Sequence, residues 1–538
     1  MNNMNQDNGM QKRMLIMTLV VFVFFIAYEF LVLKPQQEEK QKQQEIAKQQ
    51  NQNAAPDVAS TTDAMVQSAP TDASMSKSIN ALTSKAVGKA DIITTIKTAK
   101  SIIEIDKLGR VAQVTLTDSI YKDGEGHEIK LFEADQLRPL EVRFANTDIN
   151  NKAFQTSYTS TVSNVDATKN AQKFVLTQNV DGLVLTKEFT VYPDGHYDLN
   201  VKSSQKEQFF ITNGFRPNVL ADMYADHGVY VKQNDGTMEL TSDEDLDKVK
   251  SYTGIKFVSN FDRYYATVIY NFEKSLQISL MPDSSKNPQA FAHALGEISF
   301  SGYMGPKNFN DLKALNPELT DVIEYGWFTF IAKPMFTFLQ FLHGYIGNWG
   351  WTIVILTIII KLVLYPLSYK GMVSMQKLKD LAPKMKEIQA KYKDDKQKQS
   401  MHMMELYKKH GANPMGGCLP LILQIPVFFA IYRVLLNSIE LKGAEWILWI
   451  HDLAEMDPYY VLPILMGASM FVQQKITPNT MQDEMQKKIF QMLPIIFTFF
   501  FLWFPAGLTL YWFTNNLFTI AQQYSINKIF ERQRAAKK

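Results

Sequence analysis

The sequence of 538 residues contains a single cysteine, Cys418. One cysteine excludes an intramolecular disulfide, so any domain outside the cytoplasm must be held together by its own hydrophobic core. A lone cysteine in apolar surroundings is usually a small packing residue. A disulfide-stabilised architecture is therefore excluded.

Acidic residues are missing from the interior of the apolar segments in the C-terminal part of the chain. One of these segments, 349–368, carries a basic residue, Lys361, near its middle. An amine at the centre of a membrane-spanning helix costs roughly 2.5–3.5 kcal/mol, so it should face water or a partner. Because no Asp or Glu lies at comparable depth in the other apolar segments, we expect Lys361 to line a wet, open cavity.

The sequence also lacks the usual signatures of catalysis. No nucleophile–base pair, phosphate-binding loop or paired acid accompanies the apolar segments. Two histidines with aspartates nearby would suit a sugar-active enzyme or a metal site; these residues are His196, His227, Asp194, Asp198, Asp222 and Asp226. Their spacing matches no metal-ligand pattern and His196 falls in a turn, which favours solvated loops. We therefore expect no enzyme activity, no cofactor and no metal site.

What the sequence does have is long apolar runs at its two ends. The first covers 14–33 and follows Lys12 and Arg13. It is longer than a signal-peptide core and has no small-x-small cleavage site, which indicates an uncleaved anchor. Five further runs are candidate membrane-spanning helices, at 349–368, 415–436, 459–472, 489–504 and 508–524.

The distribution of charge predicts the orientation of these spans. Segments 1–13, 370–414, 473–488 and 525–538 together hold 21 Lys and Arg against 9 Asp and Glu, whereas residues 34–348 hold 32 against 39. Short loops on the cytoplasmic side are enriched in Lys and Arg. Both termini are therefore expected in the cytoplasm, with the large domain across the membrane.

The resulting domain organisation is predicted as follows: 1–13 cytoplasmic N-terminus, 14–33 transmembrane anchor, 34–90 flexible linker, 91–320 β-sandwich domain, 321–345 interfacial amphipathic helix, 346–369 span 2, 370–414 cytoplasmic helical hairpin, 415–436 span 3, 437–458 periplasmic loop, 459–474 span 4, 475–488 cytoplasmic loop, 489–504 span 5, 508–525 span 6 and 526–538 basic cytoplasmic tail. The linker is assigned from its Gln-, Ala- and Ser-rich composition.

Alternating apolar and polar residues predict strands in the external domain, for example at 103–105, 111–116, 183–186 and 276–280. Pro193-Asp194-Gly195-His196 is a strong hairpin turn signal between two such runs. About 220 residues of this pattern suggest one large β-sandwich.

The hairpin segment 370–414 holds 11 Lys and 5 acidic residues, and it is expected to form helices over about 372–393 and 396–410. One interpretation is a solvated loop beside anionic lipid headgroups. The other is a docking surface for nascent segments or ribosomal RNA. The sequence leaves both open, since lysines accumulate on the cytoplasmic side in either case.

The span at 489–504 has 16 residues, or about 24 Å of helix, against a hydrocarbon core of about 30 Å. Spans this short are expected to thin the bilayer. Polar residues within the spans suggest, together with Lys361, a hydrophilic groove that opens to the cytoplasm; they are Thr357, Gln424, Thr514, Asn515, Asn516, Thr519, Gln522 and Gln523. The residues predicted to form the substrate groove are Thr357, Lys361, Gln424, Asn515 and Asn516. Taken singly, an Asn or Gln there is more often a hydrogen-bonding link between helices.

Several motifs resemble those of one family, the YidC insertases of Gram-negative bacteria, within the wider YidC/Oxa/Alb group. They are Gly347-Asn348-Trp349-Gly350, Tyr365-Pro366-Leu367, Asn413-Pro414-Met415-Gly416-Gly417-Cys418-Leu419-Pro420, Gln424-Ile425-Pro426, Trp449-Ile450-His451-Asp452-Leu453, Asp457-Pro458-Tyr459-Tyr460-Val461-Leu462-Pro463 and Phe501-Leu502-Trp503-Phe504-Pro505-Ala506-Gly507-Leu508. The similarity is close across 349–527 and looser in the anchor and the external domain.

This resemblance implies a multi-pass α-helical protein of the bacterial inner membrane, with six spans, five of them forming an insertase core, and a periplasmic all-β domain of the β-supersandwich type. It implies an insertase and chaperone for membrane proteins that works alone or with the Sec translocon, including SecD and SecF, and with the ribosome. Lys361 corresponds to the family's groove cation, which is more often arginine; lysine keeps the charge but lacks the planar fork that binds carboxylates bidentately. The substrate slide implied by the family falls on Cys418, Pro420, Ile425, Pro426, Phe500, Phe504, Pro505, Tyr511 and Trp512.

Two other classes of function remain as alternatives. A secondary transporter or channel would use Lys361 as a solute or proton site, but it predicts an internal repeat that the unequal spans do not show. A periplasmic glycan-active enzyme on a membrane anchor would need an acid pair within 91–320.

Overall fold

The computed structural model describes residues 91–122, 126–133, 136–219, 226–323, 325–393, 395–412, 419–478 and 484–535. The predicted cytoplasmic N-terminus, anchor and linker, which cover 1–90, lie outside the described residues. The described residues of 70–480 and 492–538 form one compact unit, and the contacts reported below lie within it.

The first half of the described chain is built from strands. They are β1 (Ile92–Lys97), β2 (Ser101–Asp106), β3 (Val111–Leu116), β4 (Val142–Phe144), β5 (Thr159–Ser160), β6 (Asn164–Asp166), β7 (Gln172–Val180), β8 (Leu183–Val191), β9 (Tyr197–Ser203), β10 (Gln208–Thr212), β11 (Gly228–Gln233), β12 (Met238–Ser242), β13 (Lys250–Phe261), β14 (Tyr265–Tyr270), β15 (Leu276–Pro282), β16 (Pro288–Leu295) and β17 (Glu297–Pro306). A short helix, α1 (Thr147–Ala153), follows β4. The strands predicted from alternation are confirmed, because burial on one face of a sheet imposes a period of two residues.

These strands form two sheets. A four-stranded sheet has the order β3-β2-β1-β6, in which β1 and β6 are parallel. The larger sheet follows the path β4-β10-β16-β15-β13-β14-β17-β9-β8-β7-β5. Off this path, β11 pairs with β13 and β12 pairs with β11. The predicted hairpin between β8 and β9 is confirmed, with Gly195 at φ 91° in the turn, a left-handed conformation that glycine adopts readily.

The core of this β domain is mainly apolar and contains a buried ion network around Arg110. Aromatic side chains such as Phe209 and Phe257 are completely buried. Arg110 pairs with Asp106 at 2.7 Å and with Glu141 at 2.9 Å. Buried charges are tolerated when they are paired in this way, so the network is best explained as structural.

The second half of the described chain is helical. The helices are α2 (Phe309–Leu315), α3 (Thr329–Ile346), α4 (Trp349–Val363), α5 (Tyr365–Lys391), α6 (Lys396–His410), α7 (Leu419–Asn437), α8 (Val461–Ile476), α9 (Glu484–Phe501) and α10 (Ala506–Ala535). Helix α6 begins and ends where the sequence predicts, while α5 begins at Tyr365 instead of near residue 372.

Within the described ranges, no single helix is both long and apolar enough to cross a membrane. Helices α4 and α5 meet the length and composition required only as a pair, and their axes are bent by 65° at Leu364. The break lies next to Pro366, which has no backbone N–H and is favoured in the first turn of a new helix. The apolar run at 349–368 is therefore divided between two helices.

Candidate functional site

A cavity lies between helices α4, α5, α7, α8 and α10, and we call it the groove cavity. It encloses about 330 Å³. Its walls are formed by Lys361, Gly371, Met372, Met375, Gln424, Ile425, Phe428, Met470, Gln473, Thr477, Tyr511, Trp512, Asn515, Asn516, Thr519 and Gln523. The wall therefore combines one cation, several neutral polar groups and an apolar aromatic side.

Lys361 lies in the last turn of α4 and is 8% exposed. Its Nζ donates a hydrogen bond to Oγ1 of Thr519 at 3.0 Å and to Oε1 of Gln424 at 3.3 Å. Both partners are neutral, and within the part of the chain that the structure describes no carboxylate pairs with Lys361. A buried cation without a counter-charge attracts any anion that reaches it, because the low dielectric strengthens the interaction.

The hydrogen bonds around Lys361 join three helices. Gln424 on α7 also donates from Nε2 to the hydroxyl oxygen of Tyr511 on α10, at 3.0 Å. The chain of contacts runs from Thr519 through Lys361 and Gln424 to Tyr511. Ammonium and amide groups are thereby held at fixed positions on the cavity wall.

The two asparagines at the cavity have different surroundings. The buried Oδ1 of Asn515 has no hydrogen-bond partner among the described residues. The Nδ2 of Asn516 donates to Oγ of Ser469 at 3.0 Å, which ties α10 to α8. Asn516 therefore acts mainly as a link between helices, whereas Asn515 carries a buried acceptor that the described residues leave unsatisfied.

Thr357 is the one predicted groove residue that does not line the cavity. Its side chain is buried, and its hydroxyl donates to the carbonyl oxygen of Ile353 at 2.7 Å. Spacing of one helical turn places it near Lys361 along α4, but its hydrogen bond returns to its own backbone. Because its side chain is only 1% exposed, Thr357 offers no polar surface to the cavity although it lies close to Lys361.

Of the predicted slide residues, the structure brings Ile425, Tyr511 and Trp512 to the cavity wall. The ring of Trp512 packs edge-on against Phe428, with centroids 4.6 Å apart. Ile425, Phe428 and Trp512 give the cavity wall an apolar part, while Tyr511 contributes its ring and also a hydroxyl that accepts from Gln424.

The other slide residues do not line the cavity or are not described. Phe500 is exposed on α9, and Phe504 packs on Phe501 with ring centroids 5.1 Å apart. Pro505 forms an isolated bridge with Met456, and Pro426 lies inside α7. Cys418 lies outside the described residues, and the side chain of Pro420 is not described.

Several lining residues were not predicted as site residues: Thr519, Gln523, Gln473, Thr477, Phe428 and the methionines Met372, Met375 and Met470. The spacing of Asn515, Thr519 and Gln523 would have shown a polar stripe on one face of α10. Nothing in the sequence pattern indicates that α5 contributes Met372 and Met375, because this depends on the bend at Leu364.

The β domain contacts the end of α7 and the loop after it, through side chains from both parts. Nε of Arg263 donates to the carbonyl oxygen of Leu436 at 2.8 Å, and Arg433 pairs with Asp226 at 2.8 Å. Glu440 accepts from the backbone N–H of Phe309 at 2.9 Å, and its other oxygen is buried without a hydrogen-bond partner in the described chain. Burial raises the pKa of Glu440 to about 7.

No group of three or more His, Cys, Asp or Glu in the described ranges is arranged to hold a metal ion. In the β8–β9 turn, Nδ1 of His196 lies 2.5 Å from Oδ1 of Asp194, so the two side chains bind each other. Asp222 lies outside the described residues.

Comparison with known proteins assigns both halves of the chain. Residues 94–338 match the family described as "YidC periplasmic domain", and residues 341–534 match "60Kd inner membrane protein". The chain is 48% identical over 534 residues to the "Membrane protein insertase YidC" of Campylobacter jejuni, with 98% of each chain covered. The chain belongs to the YidC family.

A second member of the YidC family, from Wolinella succinogenes, is 49% identical and covers 98% of this chain and 97% of its own. Among solved structures, one described as an active YidC insertase with the first transmembrane domain resolved has 19% identity and a TM-score of 0.36, and covers 84% of this chain and 96% of its own. YidC proteins are inner-membrane proteins with a periplasmic domain. In this chain the periplasmic domain is therefore the β-sheet region.

Proposed function

We propose that this chain is a membrane protein insertase and chaperone, which inserts, folds and assembles inner-membrane proteins through the groove cavity. In this function the protein binds polypeptides and transfers them into the membrane, and it forms no covalent bond with them. The family membership supports the insertase activity. The observation that carries the mechanism is Lys361, a buried cation that has only neutral partners at the wall of a cavity.

The two sides of the cavity suit the two parts of an inserting segment. The hydrophilic flank of a nascent chain contains carboxylates and backbone amides, which Lys361, Gln424 and Asn515 can bind. The apolar part of the same segment can pack along Ile425 and Trp512 on its way into lipid. Partial binding of the flank offsets the cost of moving polar groups through the membrane.

We further propose a topology of six spans with both termini in the cytoplasm. Three observations support it: the excess of Lys and Arg in segments 1–13, 370–414, 473–488 and 525–538, the apolar run at 14–33 and the apolar helices of the core. In this orientation the hairpin α5–α6 faces the ribosome, and α5 contributes Met372 and Met375 to the groove cavity. Flexible methionine side chains adapt to apolar segments of different shape.

The partners proposed from the family are nascent membrane proteins, the Sec translocon with SecD and SecF, the ribosome and membrane lipids. The periplasmic domain contacts the end of α7 through Arg263 and Arg433. A partner bound to that domain would therefore act on an element of the groove itself.

Photocrosslinking during translation tests the groove directly. A photoreactive amino acid is placed at Ile425 or Trp512, and the matched control is Ile464, an exposed apolar residue of α8 that does not line the cavity. We expect a stalled nascent membrane protein to crosslink from the two cavity positions and much less from Ile464. Equal crosslinking from all three positions, or none, would contradict insertion through this cavity.

A further inference from the structure

A second cavity lies between α5 and the end of α10, outside the groove cavity. It encloses about 420 Å³, within the range of about 300–1,000 Å³ that is typical of ligand pockets. We call it the hairpin-base cavity, and its walls are Tyr369, Val373, Lys377, Asp380, Ile529, Phe530, Gln533 and Arg534. The proposed insertion mechanism makes no use of it.

The lining changes from apolar to charged in the same direction along both helices. On α5 it runs from Tyr369 and Val373 to Lys377 and Asp380, with increasing distance from the bend at Leu364. On α10 it runs from Ile529–Phe530 to Gln533–Arg534, towards the end of the helix. One end of the cavity is therefore apolar and the other is charged.

Such a gradient is typical of the membrane–water interface. Tyrosines concentrate at the level of the headgroups, and lysines and arginines lie just beyond them on the cytoplasmic side. Tyr369 on α5 and Tyr524 on α10 are both exposed, and α5 as a whole carries six lysines against two acids. In the orientation proposed above, the cavity lies at the cytoplasmic surface of the bilayer.

The charged end keeps an excess of positive charge. Arg534 pairs with Asp380, and their side chains stay 44% and 42% exposed. Lys377 is exposed, and its amine makes only a long contact of 3.4 Å with the carbonyl oxygen of Gly411 at the end of α6. Lys377 is therefore available to bind an anion, and Arg534 lines the same cavity.

From this arrangement we propose that the hairpin-base cavity binds an anionic phospholipid of the cytoplasmic leaflet. Lys377 and Arg534 bind the phosphate, and the glycerol and first acyl carbons pack on Val373 and Phe530. Charge complementarity favours phosphatidylglycerol over a zwitterionic lipid.

The bound lipid would share a wall with the groove cavity. Met372 and Met375 of α5 face the groove cavity, while Val373 and Lys377 of the same helix face the hairpin-base cavity. Because Lys377 also contacts the end of α6, the lipid would hold both helices of the hairpin at the membrane surface.

The test uses the full-length protein in liposomes and a photoreactive phosphatidylglycerol, with a photoreactive phosphatidylcholine as the reference lipid. In the double variant Lys377→Gln, Arg534→Gln, we expect phosphatidylglycerol labelling of the peptides around 369–380 and 524–535 to fall about thirtyfold, since two basic contacts are lost. The matched control is Lys386→Gln, Lys409→Gln, which removes the same charge from exposed sites elsewhere on the hairpin. It should label like the unmodified protein.

The variant Lys377→Arg, Arg534→Lys keeps the charge and should keep the labelling, which separates loss of binding from loss of folding. Equal labelling by both lipids, or an equal loss in the two neutral variants, would overturn the proposal. Unchanged lipid labelling with weaker co-sedimentation of ribosomes in Lys377→Gln, Arg534→Gln would also overturn it and assign the surface to RNA. Labelling requires no insertion activity, so this result is independent of the proposed insertase mechanism.

Discussion

The charge of Lys361 should decide which substrates the groove accepts. Replacing Lys361 with Ala removes the only cation of the described cavity wall and leaves Gln424 and Thr519 without their common donor. We expect substrates with acidic residues in the translocated flank to insert poorly in this variant. Substrates with a neutral flank should insert almost normally, because the apolar side of the cavity is unchanged.

The size of the effect follows from the geometry. A carboxylate about 4 Å from the amine gains about 1 kcal/mol in water and about 4 kcal/mol at an effective dielectric of 20. An Asp at the centre of a spanning helix costs roughly 2.5–3.5 kcal/mol, so one such contact can offset a large part of that cost. An interaction between these limits predicts about a tenfold loss of insertion rate for each acidic residue that must pass the groove.

The assay follows protease protection of a short single-span protein whose flank carries no, one or two acidic residues. Three further variants separate charge from structure. Lys361→Arg keeps the cation and should retain the preference for acidic flanks. Thr519→Val removes a hydrogen-bond partner and keeps the charge, so it should behave like Lys361→Arg. Lys361→Glu should reverse the preference and favour flanks that contain lysine.

Two results would refute this reasoning. The first is an equal loss for acidic and neutral flanks in Lys361→Ala, which would indicate a structural role for the amine. The second is unchanged selectivity in Lys361→Glu, because a reversed charge at the cavity wall must repel what the native charge attracts.

Three further predictions concern the packing of the core and its junction with the β domain. Burial raises the pKa of Glu440 to about 7, so the folded state holds a proton that the unfolded state loses, and the free energy of unfolding should fall by at most about 3 kcal/mol as pH rises from about 4.5 to 7. Glu440→Gln should abolish this dependence in thermal unfolding scans. Gly350→Ala places a Cβ in steric conflict with the ring of Trp446 and should cost about 1–3 kcal/mol in the same assay, while Gly344→Ala, which meets nothing within 4 Å, should cost almost nothing. Arg433→Ala breaks a partly exposed ion pair to the β domain, so it should cost at most about 1 kcal/mol yet increase hydrogen exchange in 228–233.

The strands could be predicted from the sequence because each has one buried face. In β8, for example, Leu183, Leu185 and Phe189 are buried. Between them, Val184 is partly exposed and Glu188 is exposed. The pairing order was not accessible. Strand β10 pairs with β4 from far earlier in the chain, and β1 runs parallel to β6, contacts that no local pattern encodes.

The bend at Leu364 shows a different limit. The apolar run continues to residue 368, so periodicity and length predict a single element. The signal for the break is Pro366, which starts a new helix more easily than it continues an old one. Since the bend brings Met372 and Met375 to the groove cavity, reading the proline as a helix start would have extended the predicted site onto the hairpin.

The sequence predicts how deep Lys361 lies in the membrane, but it does not predict which side chains contact its amine. The sequence alone shows that Lys361 has no acidic partner at its depth, because no Asp or Glu lies at comparable depth in the other apolar segments. The partners of its amine depend on how α4 crosses α10, and this crossing selects Thr519 on the other helix in preference to Thr357 on the same one. Both threonine hydroxyls donate to the backbone carbonyl four residues earlier on their own helix, so what distinguishes Thr519 is that its oxygen also accepts from the amine across a helix interface. Polar residues of a membrane groove should therefore be sought in pairs from different helices, with each member at a similar depth.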